Sequence, residues 1–181
     1  MTMMIATLGH HLNRFQRDGR GTALVEMALI APLMLMLSAG VFEFGNLIHD
    51  KLLMEAGLTD GARFAARCNS KLYTDAGLAA IDCAGVATNI AVFGKTAVGV
   101  SGVPDVPRIS GWRTADVTVT MNNTCQEAVV AGVTKYRSTT AQVCVVRAVG
   151  TYPYTGIGML SIIGIGPIIL GGLHEERLIR F

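Results

Sequence analysis

From Met27 to Phe42 the chain carries no charged residue, and the position just before this run is a glutamate, Glu26. Taken as a helix, Thr22 to Phe42 reaches roughly 31 Å at ~1.5 Å per residue, which matches the ~30 Å hydrocarbon thickness of a bilayer. The run is therefore long enough to span once. Pro32 would break a soluble helix interior, but a membrane helix accommodates proline as a kink. Composition points the same way. Of the 181 residues, 51% are hydrophobic and 15% are charged, against roughly 25% charged in an average soluble chain.

Arg14, Arg17 and Arg20 precede the run, whereas Glu43, Asp50, Lys51 and Glu55 follow it. By the positive-inside rule the N-terminal stretch is cytoplasmic and the remainder lies outside. A secretory signal peptide is the rival reading. Against it stand a long basic leader, an apolar stretch longer than the usual ~7–15 residues, and Leu37 at the outer small-residue position of the cleavage pattern. A net charge of +2 with no basic stripe excludes a nucleic-acid partner.

Glu26 is the anomaly. A carboxylate at the centre of a membrane helix costs about 2.5–3.5 kcal/mol, so it either snorkels to a nearby interface or has a partner. Its neighbours decide the reading. A basic leader ends in Gly21, and Glu26 is the fifth residue counted from Thr22. This pattern resembles the class III signal of type IV pilin-like proteins. The stretches "RGTALVEMALIAPLMLML", "FEFGN" and "GLTDGARFAARC" resemble the TadE-like family of pilus-assembly pseudopilins. Arg20, Gly21, Val25, Glu26, Ala28, Pro32, Glu43, Gly45, Ala62, Arg63, Ala65, Ala66 and Arg67 carry the likeness, while Met27 departs from the usual Tyr or Phe.

The resemblance implies removal of residues 1–21 by a prepilin peptidase cutting between Gly21 and Thr22. Glu26 then becomes an assembly residue, neutralising the new α-amine of its own or a neighbouring subunit. It further implies a minor pilin or pseudopilin of a Tad/Flp-type tight-adherence pilus, in the bacterial inner membrane with its C-terminal domain periplasmic. The implied partners are the peptidase, the major pilin, other pseudopilins and an inner-membrane platform with its cytoplasmic ATPase. The alternative is a permanently anchored envelope protein, with one or two spans, whose periplasmic domain binds a ligand or partner.

Beyond the span, residues 43–94 read as an extended helix followed by an Ala-rich helix. The apolar positions Phe44, Leu47, Ile48, Leu52, Leu58, Ala62 and Ala65 keep an approximate helical period, interrupted by Gly57 and Gly61. Arg63 and Arg67 share a face that reads as solvated. The second helix is expected to open at Thr74 or Asp75 and to close at Gly94. Residues 95–181 read as a β-rich region, with strands following the linker "VSGVPDVPRISGW" within it. "DVTVTMN" alternates, and "QVCVVRAVGTYPY" is β-branched and aromatic. The expected fold class is α+β: a transmembrane helix extended into a long helix, then a small disulfide-bonded domain with an antiparallel sheet.

Cys68, Cys83, Cys125 and Cys144 all follow the span and match no zinc or CxxC redox spacing. Two disulfides in an oxidising compartment are the reading, with four unpaired thiols in a cytosolic domain as the alternative. Cys83 can reach Cys68 across "NSKLY". Placing Cys125 opposite Cys144 sets Met121 against Ala148, Val119 against Gly150 and Val117 against Tyr152, with one face apolar. The uncharged run Gly156–Leu173 is long enough for a second span, but its glycines, Pro167 and balanced flanks favour a buried or interfacial segment.

No catalytic constellation is present. His10, His11, His49 and His174 are scattered, and Ser38 is expected to bond its own helix backbone. The sequence thus suggests neither an enzyme, a metal nor a cofactor.

Overall fold

A computed structural model of the protein describes residues 20–100, 104–134, 142–156, 158–162 and 164–179. The leader, with His10, His11, Arg14 and Arg17, lies outside the described residues. The chain divides into two units, Met1–Gly45 and Asn46–Phe181.

Helix α1, Arg20–Arg67, belongs to both units and is assigned without interruption through Pro32. In the first unit it is the described structure, and its side chains from Gly21 to Leu37 are all exposed. In the second unit it is the central packing element. A short helix α2, Ser70–Asp75, and helix α3, Cys83–Phe93, follow. After a 3-10 turn at Thr114–Asp116 come β1, Val117–Glu127, the short strands β2, Val129–Val130, and β3, Val133–Thr134, and then β4, Gln142–Tyr154. A one-turn helix α4, Met159–Ile162, precedes β5, Ile168–Arg177. Strands β1, β4 and β5 form an antiparallel sheet in the order β1-β4-β5, and β2 pairs with β3. The fold is α+β, with two disulfides.

Gly57 and Gly61 do not interrupt α1. They let α3 lie directly on it: a Cβ at Gly57 would sit 2.3 Å from the Ala91 carbonyl oxygen, and one at Gly61 would sit 2.7 Å from that of Ala87. Ala62, Ala65 and Ala66 are buried beside them. On an adjoining sector the same helix presents bulk instead. Met54 and Leu58 are fully buried, and Leu58 fills a notch made by Gly150 and Gly172, which face each other across β4 and β5. A Cβ at Gly172 would lie 2.8 Å from Leu58 Cδ1.

The Ala-rich helix is shorter than its sequence suggests. It starts at Cys83 rather than Thr74, because Asp82 caps it by accepting from the Gly85 N–H at 3.0 Å. Thr74 and Asp75 instead close α2, which Asn69 caps through the Lys71 N–H. Gly94 does end α3, in the left-handed region at φ 70°.

The end of the segment read as a linker contributes two residues to the core. Ile109 and Trp112 are 2% and 1% exposed. Trp112 Nε1 donates to the Thr151 carbonyl at 3.1 Å, and Tyr152 Oη donates to that of Ser110 at 3.0 Å. The Arg108 N–H donates to the Val92 carbonyl at 2.8 Å, satisfying one of the acceptors a helix leaves open at its C-terminus.

Cys125 lies opposite Cys144, as the alternation required, but the register then shifts. Between Thr120 and Thr124 a bulge intervenes, so that Val119 faces Ala148 and Val117 faces Gly150 rather than Gly150 and Tyr152. The shift is by two residues, which preserves the side-chain period of a strand, so the apolar face is retained. The run Gly156–Leu173 is not a second membrane helix. Its last six residues are the first part of β5, whose backbone pairs with β4.

Gly57→Ala should destabilise the chain by about 1–3 kcal/mol through overpacking, although alanine favours a helix by ~1 kcal/mol. At Gly45, where a Cβ meets nothing within 4 Å, the same change should be neutral or stabilising. Urea unfolding of the detergent-solubilised full chain, monitored at Trp112, gives both values.

Candidate processing and assembly segment

The predicted processing pair, Gly21 and Thr22, lies in the first described turn of α1, and no atom comes within 4 Å of a Cβ placed at Gly21. Glu26 lies four residues after Thr22, so the two share a helix face. Leu24 is 74% exposed, and Leu29, Leu33, Leu35 and Met36 are each more than half exposed. Ser38 Oγ donates to the Met34 carbonyl at 2.8 Å, so the hydroxyl within the apolar run is satisfied by its own helix. Among the described residues, α1 is the one helix long and apolar enough to cross a membrane. Glu43 is buried at 2% exposure and partnered, a state that its position just past the apolar run does not reveal.

The four cysteines resolve into two pairs. Cys68 and Cys83, with Cα atoms 5.8 Å apart, join the end of α1 to the start of α3. Cys125 and Cys144, 4.0 Å apart at Cα, cross-link β1 to β4. The second bridge lies where Asn122 to Glu127 are all exposed, so the disulfide secures strand pairing where core packing does not.

Polar contacts fix β5 along α1. Lys51 Nζ donates to the Gly171 carbonyl and pairs with Glu55 at 2.8 Å. One side-chain cluster follows. Thr59 Oγ1 lies 3.3 Å from His174 Nδ1, His174 Nε2 lies 3.3 Å from Glu176 Oε1, and Arg63 Nε donates to the same oxygen at 3.3 Å. Arg63 and Arg67 are both exposed, as the shared solvated face predicts, and Arg63 adds an ion pair with Glu176 at its edge. The hydrogen bond from His174 holds the Glu176 carboxyl below its ordinary value of 4.5, with Arg63 adding to it and burial opposing. Arg108 joins the loop to α1 through Asp60 at 2.7 Å. Asp105 accepts from Lys95 and from the Gly99 N–H, which lower its pKa in that order.

Among the described residues, no group of three His, Cys, Asp or Glu side chains could hold a metal ion. The helix and the unit built on it define a class: a small disulfide-bonded α+β domain carried by one candidate membrane helix. Residues 21–63 match the family model described as TadE-like protein, so over that stretch the chain is similar to that family. The matched stretch lies wholly within α1, from the predicted cleavage position to Arg63. The searches of curated proteins and of solved structures found no match.

Because Glu176 is more acidic in the folded chain than in the unfolded one, its contribution to stability is complete above the unfolded value. It is lost as pH falls through the lower folded value. The stability difference between the wild type and Glu176→Gln should therefore shrink as pH falls from about 5 to about 3, read from urea midpoints at each pH.

Proposed function

We propose that the protein is a minor pilin or pseudopilin that takes part in assembling a Tad/Flp-type pilus, acting mechanically rather than as an enzyme. The observation that carries this reading is the TadE-like match over residues 21–63, which coincides with an apolar helix whose surface from Gly21 to Leu37 is uncovered. The chain enters the inner membrane with its leader cytoplasmic and its disulfide-bonded unit periplasmic, where an oxidising environment supports both bridges. A prepilin peptidase cuts between Gly21 and Thr22. The exposed α1 surface then packs on the helices of the major pilin and other pseudopilins, above a membrane platform driven by a cytoplasmic ATPase.

Cleavage gives Thr22 a positively charged α-amine in a setting where an unpaired charge is costly. Glu26, one turn along the same face, is positioned to neutralise that amine within the chain, and its carboxylate is equally open to the amine of a neighbouring subunit. In either arrangement it sets the register in which subunits meet.

Chain isolated from membranes should begin at Thr22 when the prepilin peptidase is present and retain its leader when it is absent, by intact mass and terminal peptide sequencing. A leader retained in both samples would leave a permanently anchored envelope protein instead. Glu26→Gln should still be cut and inserted but should reduce piliation several-fold, counted by electron microscopy. Normal piliation by that variant would remove the assembly role of Glu26.

A further inference from the structure

The second unit has two distinct ends along α1, and its hydrogen bonds identify them. Going up the helix, Lys51 meets Gly171, Thr59 meets His174, Arg63 meets Glu176, and the Ala66 carbonyl accepts from the Ile179 N–H at 2.8 Å. Strand β5 therefore runs in the same direction as α1. Its first residue, Ile168, pairs with Tyr154, the last residue of β4, and Asn46 Nδ2 donates to Tyr154 Oη at 3.4 Å. The connection from β4 to β5 thus emerges at the end of the unit where the chain enters at Asn46.

Phe42 and Asn46 are four residues apart, a reach of at most about 14 Å in any conformation. The connection itself suits a lipid surface. No Asp, Glu, Lys or Arg occurs between Arg147 and Glu175. Leu160 is buried and anchors the connection in the core, and the Ile165 N–H donates back to the Leu160 carbonyl at 2.9 Å. Beyond this anchor Gly164, Gly166 and Pro167 are exposed, Ile165 is 43% exposed and Ile169 is 71% exposed.

Taking residues 22–42 as a membrane span, as the proposed function does, we infer that Gly164–Ile169 seats in the headgroup–acyl boundary of the same bilayer. It gives the domain a second, non-spanning membrane contact. The depth follows from backbone chemistry. Irregular backbone exposed to hydrocarbon would leave polar groups unsatisfied, so the segment stays where water reaches it and only the side chains of Ile165 and Ile169 enter the acyl region.

The test uses the full chain in phosphatidylcholine vesicles whose lipids carry bromine either near the headgroup or deep in the acyl chains. Trp112, the single native tryptophan, is 1% exposed and supplies the background fluorescence. Ile165→Trp and Ile169→Trp, both at exposed positions, should add emission that shallow bromine quenches more than deep bromine, because interfacial segments sit ~5–10 Å into the boundary. Val130→Trp, in the β2–β3 ribbon, should not be quenched. If neither isoleucine replacement is quenched while Leu33→Trp in α1 is, the interfacial contact is overturned and the span stands. If both are quenched best by deep bromine, the segment is inserted rather than interfacial, which also overturns it. If Leu33→Trp is itself unquenched, the span reading fails and the inference fails with it.

Discussion

The backbone of α3 rests against α1 at Gly57 and Gly61, and the rest of the second unit is arranged around that contact. Two helices of ordinary surface residues pack with axes ~8–10 Å apart. Replacing side chains with hydrogen at two positions one turn apart lets the carbonyls of Ala87 and Ala91 take the space instead. Because α3 takes so little room, the neighbouring sector of α1 is left for the sheet. Met54 and Leu58 fill that sector, and the sheet receives them at a notch where Gly150 and Gly172 lie side by side. Small residues on the helix meet a helix, and large residues on the helix meet small ones on the sheet. The complementarity is reciprocal, so neither packing would form with the other's residues.

The disulfides and ion pairs act at the boundaries of this arrangement. Cys68–Cys83 restrains the turn from α1 into α3, and closing a loop of 15 residues of sequence separation removes unfolded-state freedom worth about 3 kcal/mol in the chain-entropy account. Arg108 ties the loop to Asp60 while its own N–H serves the end of α3. Exposed ion pairs such as Arg63 with Glu176 add little individually, typically under ~1 kcal/mol. Their value is registration, since each fixes one position of β5 against one turn of α1.

Much of this was legible from local pattern. The uncharged run from Met27, strands β1 and β4 and the Cys125–Cys144 opposition all follow from period and charge. So does the cap at Gly94. What was not legible required knowledge of a neighbour. Gly57 and Gly61 look like helix breakers until α3 is seen against them, and Thr74 looks like an N-cap until Asp82 is seen to cap instead. "VSGVPDVPRISGW" looks like a linker because of its two prolines and two glycines, yet Ile109 and Trp112 are core residues, and hydrogen bonds join Trp112 and Ser110 to β4. Strand β5 was hidden because Gly171 and Gly172 depress local strand propensity and Pro167 stands just before it, whereas its pairing with β4 is a property of two strands together.

The sequence by itself determined the span-length apolar helix, the basic leader before it, the TadE-like stretch and the face alternation of β1 and β4. These depend on the order of polar and apolar residues within one element, and a single strand or helix carries that information. Only the tertiary structure decided the bulge that displaces Val117 and Val119 by two residues, the third strand and the burial of Ile109 and Trp112. Those outcomes depend on which surfaces meet, and a two-residue slip or a glycine notch changes no local pattern while it changes every contact across the interface.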